Sequence, residues 1–407
     1  MPGINAFLDV KPLNRHIAII GTSGGGKTYL SKVIIEEILL QGYSSILIDP
    51  QGDLCSLLIP DDETGAAIRA NINFKILTPG SKKGIPLGLN IFETMPPELL
   101  EDEEFLIMSL DHLSLNILNL LGIEMKKGVP PQKPLIESLI RTAWLAGEKI
   151  DFQALAEKIA TVEQIPNLTT GEIIPINQLI SPRERVLLAQ KLTSLSAGTE
   201  GILFSCGETL DVSDMLESGP SCYIINLQSL GTDPNKRQLV LSWIMQQIYS
   251  WMLTHPQADQ DALRLFLYID EVADFLPIHP NNPPSKKLLM LLLRQARKYG
   301  VGIIIATQSP GSIEYKALDN VNTLFVGKIP TKQSSAKIEA LISPYLNSNL
   351  VELERVMTRV RKLNPGEFFL VHPGETSNIF VKIRKLHTKH ETIALDRIRD
   401  LLNLDSS

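Results

Sequence analysis

The sequence predicts an α/β fold built on a mostly parallel sheet, with a helical subdomain inserted into it. Two observations point to this fold. Short apolar runs alternate with helical patterns near both ends of the chain, as in a parallel sheet. From residue 98 to 197 the apolar residues instead recur at spacings of three and four. We therefore divide the chain into a first core segment (1–97), a helical insertion (98–200), a second core segment (201–385) and a helical tail (386–407).

Composition narrows the class of protein. The 407 residues are 44% hydrophobic and 21% charged, typical of a globular protein. No apolar run approaches the ~20 residues of a membrane-spanning helix, and no secretion signal is evident, so we expect a cytoplasmic protein. Cys55, Cys206 and Cys222 lack C-x-x-C spacing, which favours reduced thiols. The net charge of −6 argues against a uniformly basic surface but allows a local basic stripe.

A glycine-rich run matches the pattern G-x-x-x-x-G-K-[ST] of a phosphate-binding loop: Gly21-Thr22-Ser23-Gly24-Gly25-Gly26-Lys27-Thr28. It lies between a predicted strand, His16–Ile20, and a predicted helix, Tyr29–Leu40. The glycines let backbone N–H groups turn toward an anion, and the helix dipole favours negative charge there. Lys27 supplies a cation for the β- and γ-phosphates, and Thr28 a hydroxyl for Mg²⁺. We predict that residues from Gly21 to Tyr29 bind ATP, because a simple glycine-rich turn leaves Lys27 unexplained.

The next predicted strand, Ser45–Asp49, ends in Asp49-Pro50-Gln51-Gly52-Asp53-Leu54. Asp49 either reaches water near the nucleotide or caps the Pro-Gly turn, and the residues leave both open. Phe74–Leu77 predicts another strand, followed by a loop rich in Gly and Pro. The insertion is predicted to contain four helices joined by loops that include 165–181: Glu98–Leu121, Lys133–Ala146, Phe152–Val162 and Arg183–Ala197.

The second core segment begins with a predicted strand, Cys222–Leu227, and a helix, Lys236–Leu253. The apolar strand that follows ends in Asp270-Glu271, at the carboxyl end where open α/β sheets bind ligands. Alone, such a pair often marks only a strand leaving the core. Combined with the phosphate loop, it predicts that Asp270 orients Mg²⁺ through its water shell. Glu271 would then polarise the water that attacks the γ-phosphate.

Further candidates follow in a predicted helix, Lys286–Tyr299, and a predicted strand, Val301–Ala306. Arg294 and Arg297 either complement the helix dipole or reach a neighbouring subunit's nucleotide as an arginine finger, for which Arg297 is preferred. Gln308, at the strand tip, either senses the γ-phosphate or is simply solvated. The remaining predicted elements are the strand Thr323–Val326, helices Ser334–Ile342 and Leu350–Val360, strands Glu367–Val371 and Ile379–Ile383, and a helical tail, Thr392–Leu402, that could dock on a neighbouring subunit.

The order of these motifs resembles the HerA/FtsK superfamily of ring ATPases, especially the HerA branch and the related conjugation and type IV secretion ATPases. The most specific pieces are Asp49–Leu54, Leu265–Phe275 and Leu293–Gln308, and the resemblance covers residues 13–385. It implies a RecA-like core, a hexamer with ATP between subunits, and a central channel for double-stranded DNA. By position, it assigns the superfamily's nucleotide-site roles to Lys27, Thr28, Asp270, Glu271, Gln308 and Arg297.

HerA helicases carry a β-barrel before the phosphate loop, whereas only 20 residues precede Gly21 here. We therefore expect a stand-alone motor core, or one whose partner protein supplies the missing module. The leading hypothesis is an Mg²⁺-dependent ATPase that moves double-stranded DNA through an oligomeric ring. The alternatives are a secretion or conjugation ATPase and an ATP-dependent assembly switch that signals through the insertion.

Overall fold

The computed structural model describes residues 16–93, 95–123, 128–198, 201–205, 207–256, 262–308, 310–329, 332–346, 349–372 and 379–402. A ten-stranded sheet forms its centre, in the order β12-β11-β10-β1-β9-β8-β2-β7-β3-β4, and a separate hairpin pairs β5 with β6. The strands are β1 Ile17–Ile20, β2 Ser44–Asp49, β3 Asn73–Pro79, β4 Ile85–Leu87, β5 Gln164–Pro166, β6 Ile173–Pro175, β7 Ser221–Asn226, β8 Leu265–Ile269, β9 Val301–Thr307, β10 Thr323–Val326, β11 Glu367–Val371 and β12 Ile379–Lys382.

Every pairing from β10 to β4 is parallel, and only the pairings of β11, with β10 and with the edge strand β12, are antiparallel. This confirms the predicted mostly parallel sheet. Parallel strands are covered on both faces, which explains why the central strands read as continuous apolar runs. The carboxyl ends of β1, β8 and β9 lie side by side, and the phosphate loop begins at the carboxyl end of β1.

Helices cover both faces of the sheet. They are α1 Lys27–Leu40, α2 Glu63–Asn71, α3 Pro97–Leu100, α4 Glu103–Leu120, α5 Gln132–Leu145, α6 Phe152–Thr161, α7 Pro182–Ala197, α8 Gly201–Ser205, α9 Val212–Glu217, α10 Pro234–Thr254, α11 Pro284–Gln295, α12 Lys332–Ile342, α13 Leu350–Val360 and α14 Ile398–Leu401. One hydrophobic cluster joins α1 to one face, and a larger one joins α10, α11 and the insertion to the other. The insertion therefore shares its core with the sheet.

Several elements differ from the predictions. The helix predicted over Glu98–Leu121 is two helices, because the Asp102 side chain accepts a hydrogen bond from Phe105 N (3.0 Å) and starts α4 anew. The predicted loop 165–181 contains part of the β5–β6 hairpin, whose strands are only three residues each. Helix α2 is absent from the predictions. It buries only Gly65 and Ile68, which leaves little apolar periodicity to detect.

The C-terminal segment, residues 384–402, lies against α1 and the loop after β2 of its own chain. The buried Glu36 carboxylate accepts hydrogen bonds from Thr388 N and Thr388 Oγ1 (both 2.8 Å) and pairs with Arg384 at 2.8 Å. Ile393 N donates to Gly52 O at 3.0 Å. The tail predicted as a helix over Thr392–Leu402 is helical only from residue 395 to 401, because its first residues run extended along this surface.

Candidate nucleotide site

Neighbouring strands hold the phosphate loop from both sides. Gly21 N donates to Thr307 O at the end of β9 (3.3 Å), and Thr22 N donates to Lys328 O just after β10 (3.2 Å). Gly24 and Gly26 have positive φ angles of 71° and 90°. A Cβ on Gly26 would also lie 3.0 Å from Gly366 N. Position 26 therefore requires glycine, for its backbone conformation and for this close approach.

Helix α1 begins at Lys27 with Gly26 as its N-cap, and no side chain caps this end among the described residues. Its first backbone N–H groups and its dipole are therefore available to an anion. Lys27 is only 6% exposed, and its Nζ donates to Thr22 O at 2.9 Å. Burial lowers the pKa of Lys27, while the nearby charges of Glu271 and Asp270 raise it. Thr28 is half-buried in the first turn.

Asp270 and Glu271 follow β8 at the same edge. Asp270 Oδ1 accepts hydrogen bonds from Tyr268 Oη and Glu271 N, both at 3.1 Å. Burial, reinforced by the neighbouring Glu271 charge, raises the pKa of Asp270 to about 6. Glu271 adopts the left-handed conformation (φ 47°), which is costly for a residue with a side chain. Held there, its carboxylate accepts from Thr307 Oγ1 (2.9 Å) and Gln308 N (3.1 Å).

A cavity of about 500 Å³ lies over the phosphate loop. Lys27, Thr28, Tyr29 and the exposed Gln308 line it together with other loop residues, so the structure brings these predicted residues together. The cavity has the size of a small-molecule site, which runs from about 300 to 1,000 Å³. The amino end of α1 forms the floor of this cavity. Gln308 lines the cavity, and its backbone N–H donates to the Glu271 carboxylate.

Arg294 and Arg297 are not part of this cavity. Both precede Gly300 closely in the chain. The Gly300 carbonyl accepts a hydrogen bond from Leu265 N, which lies at the amino end of β8. Strand β9 then runs seven residues, about 20 Å, before it reaches the phosphate-loop edge. The two arginines therefore lie at the opposite edge of the sheet from their own chain's loop, and a finger role could only operate between subunits.

Asp49 caps its own turn. The buried carboxylate accepts from Gly52 N (2.7 Å), Asp53 N (3.2 Å) and Leu54 N (3.0 Å). Burial raises its pKa to about 6, although these backbone hydrogen bonds oppose the shift. Of the two sequence interpretations, the capping one is therefore correct. Asp49 shapes the loop that brings Asp53 to the cavity wall.

The sequence reasoning missed the second wall of the cavity. Pro365, Gly366 and residues 382–385 line it, as do Gln51, Asp53 and His390. Tyr29 Oη accepts from Leu386 N at 2.9 Å, and its ring meets His390 edge-to-face with ring centres 5.2 Å apart. The basic run Lys382-Ile383-Arg384-Lys385 is a signal that could have indicated an anion site.

Within the parallel sheet, one strand, β9, lies between β1, which leads into the phosphate loop, and β8, which leads into Asp270-Glu271. This arrangement defines a P-loop NTPase with a RecA-like fold. The sequence model described as "Helicase HerA, central domain" matches residues 1–248. The chain therefore belongs to the HerA family and is an ATP-hydrolysing P-loop enzyme.

Two curated relatives extend this similarity. The probable DNA double-strand break repair helicase HerA of Methanocaldococcus jannaschii is 24% identical, over 99% of this chain and 78% of that protein. The DNA double-strand break repair helicase HerA of Pyrococcus furiosus is 22% identical, over 81% of this chain and 59% of that protein. This chain thus spans little more than half the length of the second relative.

Solved structures share the fold. VirB4 of Thermoanaerobacter pseudethanolicus superposes with a TM-score of 0.64 at 14% identity, over 94% of both chains. The plasmid coupling protein TrwB, in complex with ADP and Mg²⁺, superposes with a TM-score of 0.59 at 15% identity, over 93% of this chain and 87% of TrwB. Separately, none of the helices described here is both long and apolar enough to cross a membrane.

Proposed function

We propose that this protein is an Mg²⁺-dependent ATPase that couples hydrolysis to movement of double-stranded DNA through an oligomeric ring. The observation that carries the proposal is the meeting of Lys27, Asp270 and Glu271 at one edge of the sheet. Asp270 and Glu271 follow β8, which only β9 separates from β1, and their charges act to raise the pKa of Lys27 against the effect of its burial. Phosphoryl transfer depends mainly on such positioning and on charge neutralisation.

The loop fits a triphosphate. Backbone N–H groups and the Lys27 ammonium would bind the phosphate oxygens, and the wall formed by residues 382–385 would face the rest of the nucleotide. Thr28 and Asp270 would hold Mg²⁺, which typically takes only one or two protein ligands beside phosphate oxygens and water. When bound, Mg²⁺ supplies further neutralisation of phosphate charge.

Glu271 would act as the general base. Its carboxylate is oriented by Thr307 Oγ1 and Gln308 N, and Gln308 also lines the nucleotide cavity. The carboxylate would take the proton of the attacking water, and Gln308 would report the presence of the γ-phosphate through the same hydrogen bond. A positioned base typically contributes about 10²–10⁴-fold to rate.

Two variants test the nucleotide site. Lys27→Ala should abolish ATP binding or turnover, because the anion loses its buried counter-charge. Glu271→Gln should bind ATP but hydrolyse it at least about 100-fold more slowly, because the amide cannot accept a proton. Steady-state ATPase assays, with binding of a fluorescent ATP analogue, measure both effects. Wild-type turnover in either variant would refute the assignment.

DNA as the moved polymer is proposed from the curated relatives, which are named DNA double-strand break repair helicases. We expect duplex DNA to stimulate the ATPase, and light scattering with ATP to give the mass of a hexamer. Turnover that ignores DNA but responds to a membrane partner would instead identify a secretion-type ATPase. Very slow turnover with a large ATP-dependent change in assembly would identify a switch. A cytoplasmic location and a partner protein that supplies a further module remain predictions.

A further inference from the structure

The C-terminal segment runs from one side of the phosphate loop to the other. It follows β12, and β12 and β2 lie on opposite sides of β1 in the sheet. Near its start, Leu386 N donates to Tyr29 Oη at 2.9 Å. Further on, Ile393 N donates to Gly52 O, in the loop after β2, at 3.0 Å. The segment therefore passes over α1, the helix that begins at the phosphate loop.

The same segment forms part of the nucleotide cavity. Gly366 N donates to Gly25 O in the phosphate loop (3.2 Å), and Ile383 N donates to Gly366 O (3.0 Å). These two hydrogen bonds connect the turn before β11, and the residue just before the segment, to the loop. Lys385 and His390 of the segment line the cavity beside them. A ligand that filled the cavity would therefore contact the segment as well as the loop.

The strand order indicates where each end of ATP would lie. In the ATPase function proposed above, on which this inference rests, the γ-phosphate faces Glu271 and Gln308. These residues follow β8 and β9, which lie on one side of β1, whereas β11 and β12 lie on the other side. A triphosphate extended along the loop would therefore carry its nucleoside toward the turn before β11 and the C-terminal segment.

The positive charges on this wall are largely neutralised within the protein. Arg384 pairs with two glutamates of α1, at 2.8 Å and 2.6 Å. Lys385 pairs with Asp61 at 3.0 Å. The exposed Lys382 has no ion-pair partner in the described part of the chain and stays available to polar atoms of a ligand. Because most of its charge is paired, the wall attracts phosphate less than the loop does.

Uncharged surface completes the wall. Pro365 and the half-buried Ile383 line the cavity with apolar side chains. The His390 ring also lines it and meets the Tyr29 ring edge-to-face, with ring centres 5.2 Å apart. Burial, reinforced by the charge of Lys32, lowers the pKa of His390, so this imidazole is neutral near pH 7. Such a surface suits an adenine base, which is flat and uncharged, better than it suits a phosphate.

We propose that the C-terminal segment and the turn before β11 bind the adenosine part of ATP, and that nucleotide binding and docking of the segment on α1 strengthen each other. The two processes are coupled because the segment contributes its part of the site only when it is docked. Such coupling is reciprocal: the affinity that the docked segment adds for adenosine equals the stability that adenosine adds to the docked segment. A ligand with phosphates but no adenosine lacks this effect.

Hydrogen exchange over residues 384–393, measured by mass spectrometry with Mg²⁺ and either ADP or pyrophosphate, tests the coupling. Both ligands carry phosphates for the loop, but only ADP carries adenosine. With each ligand at about ten times its own Kd, ADP should slow exchange in this segment about tenfold, whereas pyrophosphate should leave it nearly unchanged. Equal slowing by the two ligands would overturn the proposal, because phosphates alone would then dock the segment.

Variants of the wall test the contact with adenosine. Ile383→Ala and His390→Ala should each weaken ADP binding about fivefold in calorimetric titrations, because each removes part of the surface that contacts adenosine. Their affinity for pyrophosphate should not change. The matched control is Val381→Ala, another half-buried β-branched residue, which lies in β12 outside the cavity and should bind both ligands normally. Thermal unfolding reports that each variant is folded.

Two further results would overturn this proposal and leave the ATPase assignment intact. One is unchanged ADP affinity in both wall variants. The other is an equal loss of affinity for ADP and pyrophosphate, which would indicate damage to the loop. Failure of the ATPase assignment looks different, because wild-type protein would then bind neither ligand, or Lys27→Ala would bind both as well as wild type does.

Discussion

Asp270 and Glu271 are neighbours in the chain but have different surroundings. Asp270 is 9% exposed and uses one carboxylate oxygen for both of its hydrogen bonds. Glu271 is half-buried and is turned by its left-handed backbone toward the end of β9. The surroundings of Asp270 disfavour the negative charge that metal binding needs, whereas those of Glu271 orient its carboxylate as a base. Both features reduce stability at the site where the chemistry is proposed.

Asp270→Asn should therefore stabilise the protein in the absence of nucleotide. The pKa of Asp270 is raised from 3.8 to about 6, so the folded protein binds more protons than the unfolded chain between these values. Stability contributed by the protonated carboxyl is lost as pH rises through this window. The asparagine oxygen can keep both hydrogen bonds without a charge. We expect a gain of about 1–3 kcal/mol at pH 7.5.

Urea unfolding at pH 5 and pH 7.5 measures this effect. The gain from Asp270→Asn should be smaller at pH 5, where wild-type Asp270 is largely protonated. Asp49 has a similarly raised pKa and remains in the variant, so part of the pH dependence should persist. A variant that is less stable than wild type at pH 7.5 would contradict this account.

Thr307 is a positioning residue for Glu271. Thr307→Val removes the hydroxyl that donates to the carboxylate at 2.9 Å while keeping the shape of the side chain. We expect kcat to fall about tenfold, the value of one such hydrogen bond, with KM for ATP nearly unchanged. Thr307→Ser should restore most of the rate. Equal losses in the valine and serine variants would indicate a packing effect instead.

The sequence predicted the candidate residues at the strand ends better than it predicted the segments packed around them. The phosphate loop and Asp270-Glu271 were predictable because each needs particular residue types at a strand end. The sequence could not decide the role of Asp49, since a carboxylate at the start of a Pro-Gly turn can either cap the turn or reach water near the nucleotide. The cavity wall at Tyr29 and His390 depends on contacts between distant segments, which no local pattern reveals.

At the scale of elements, the C-terminal segment depends on α1. Glu36 is fully buried and binds Thr388 and Arg384, whereas the adjacent Glu37 pairs with the same arginine at the surface. The Lys32 ammonium donates to Lys389 O and to Ser56 Oγ. One helix thus begins at the phosphate loop and also carries the polar groups that fix the chain's last described segment. Its apolar pattern predicts the helix but not this use of its charged residues.

Glu36→Gln and its neighbour Glu37→Gln form a matched pair. Removing the buried charge takes a counter-charge from the fully buried Lys32 ammonium as well as from the partly exposed Arg384, so Glu36→Gln should destabilise the protein by about 3 kcal/mol. Glu37→Gln removes an exposed ion pair, for which we expect at most about 1 kcal/mol. Urea unfolding measures both, and limited proteolysis should cut within residues 384–402 faster in the first variant. Equal effects of the two changes would exclude the proposed anchoring.

At the scale of the whole molecule, the length of β9 separates two arginines from their own chain's nucleotide cavity. These are Arg294, in α11, and Arg297, in the turn that follows it. An oligomer is therefore the setting in which a finger role could operate. The alternative, a favourable interaction with the end of the helix, requires no neighbour. The two interpretations predict different behaviour in mixtures of subunits.

Arg297→Ala should abolish turnover without weakening ATP binding, because the missing charge acts on a neighbour's transition state. Mixing these subunits with Lys27→Ala subunits should partly restore activity, since the second variant supplies Arg297 to an intact loop. ATPase activity across mixing ratios measures the rescue. The matched control is Arg294→Ala, which we expect to lose less activity. Mixed rings without any recovery would remove the finger assignment.

The central position of β1 also affects how the protein is made. Thr22 Oγ1 donates a hydrogen bond to Lys328 O, 306 positions later in the chain. Both strands that flank β1, namely β9 and β10, also lie beyond residue 300. A nascent chain emerging from the ribosome therefore has its glycine-rich turn long before the backbone groups that shape it. Because domains fold as units and long-range parallel pairing is slow, ATP would find no formed site until β9 and β10 have been synthesised. Late synthesis of β9 and β10 would thus delay enzymatic activity until the sheet can close around its first strand.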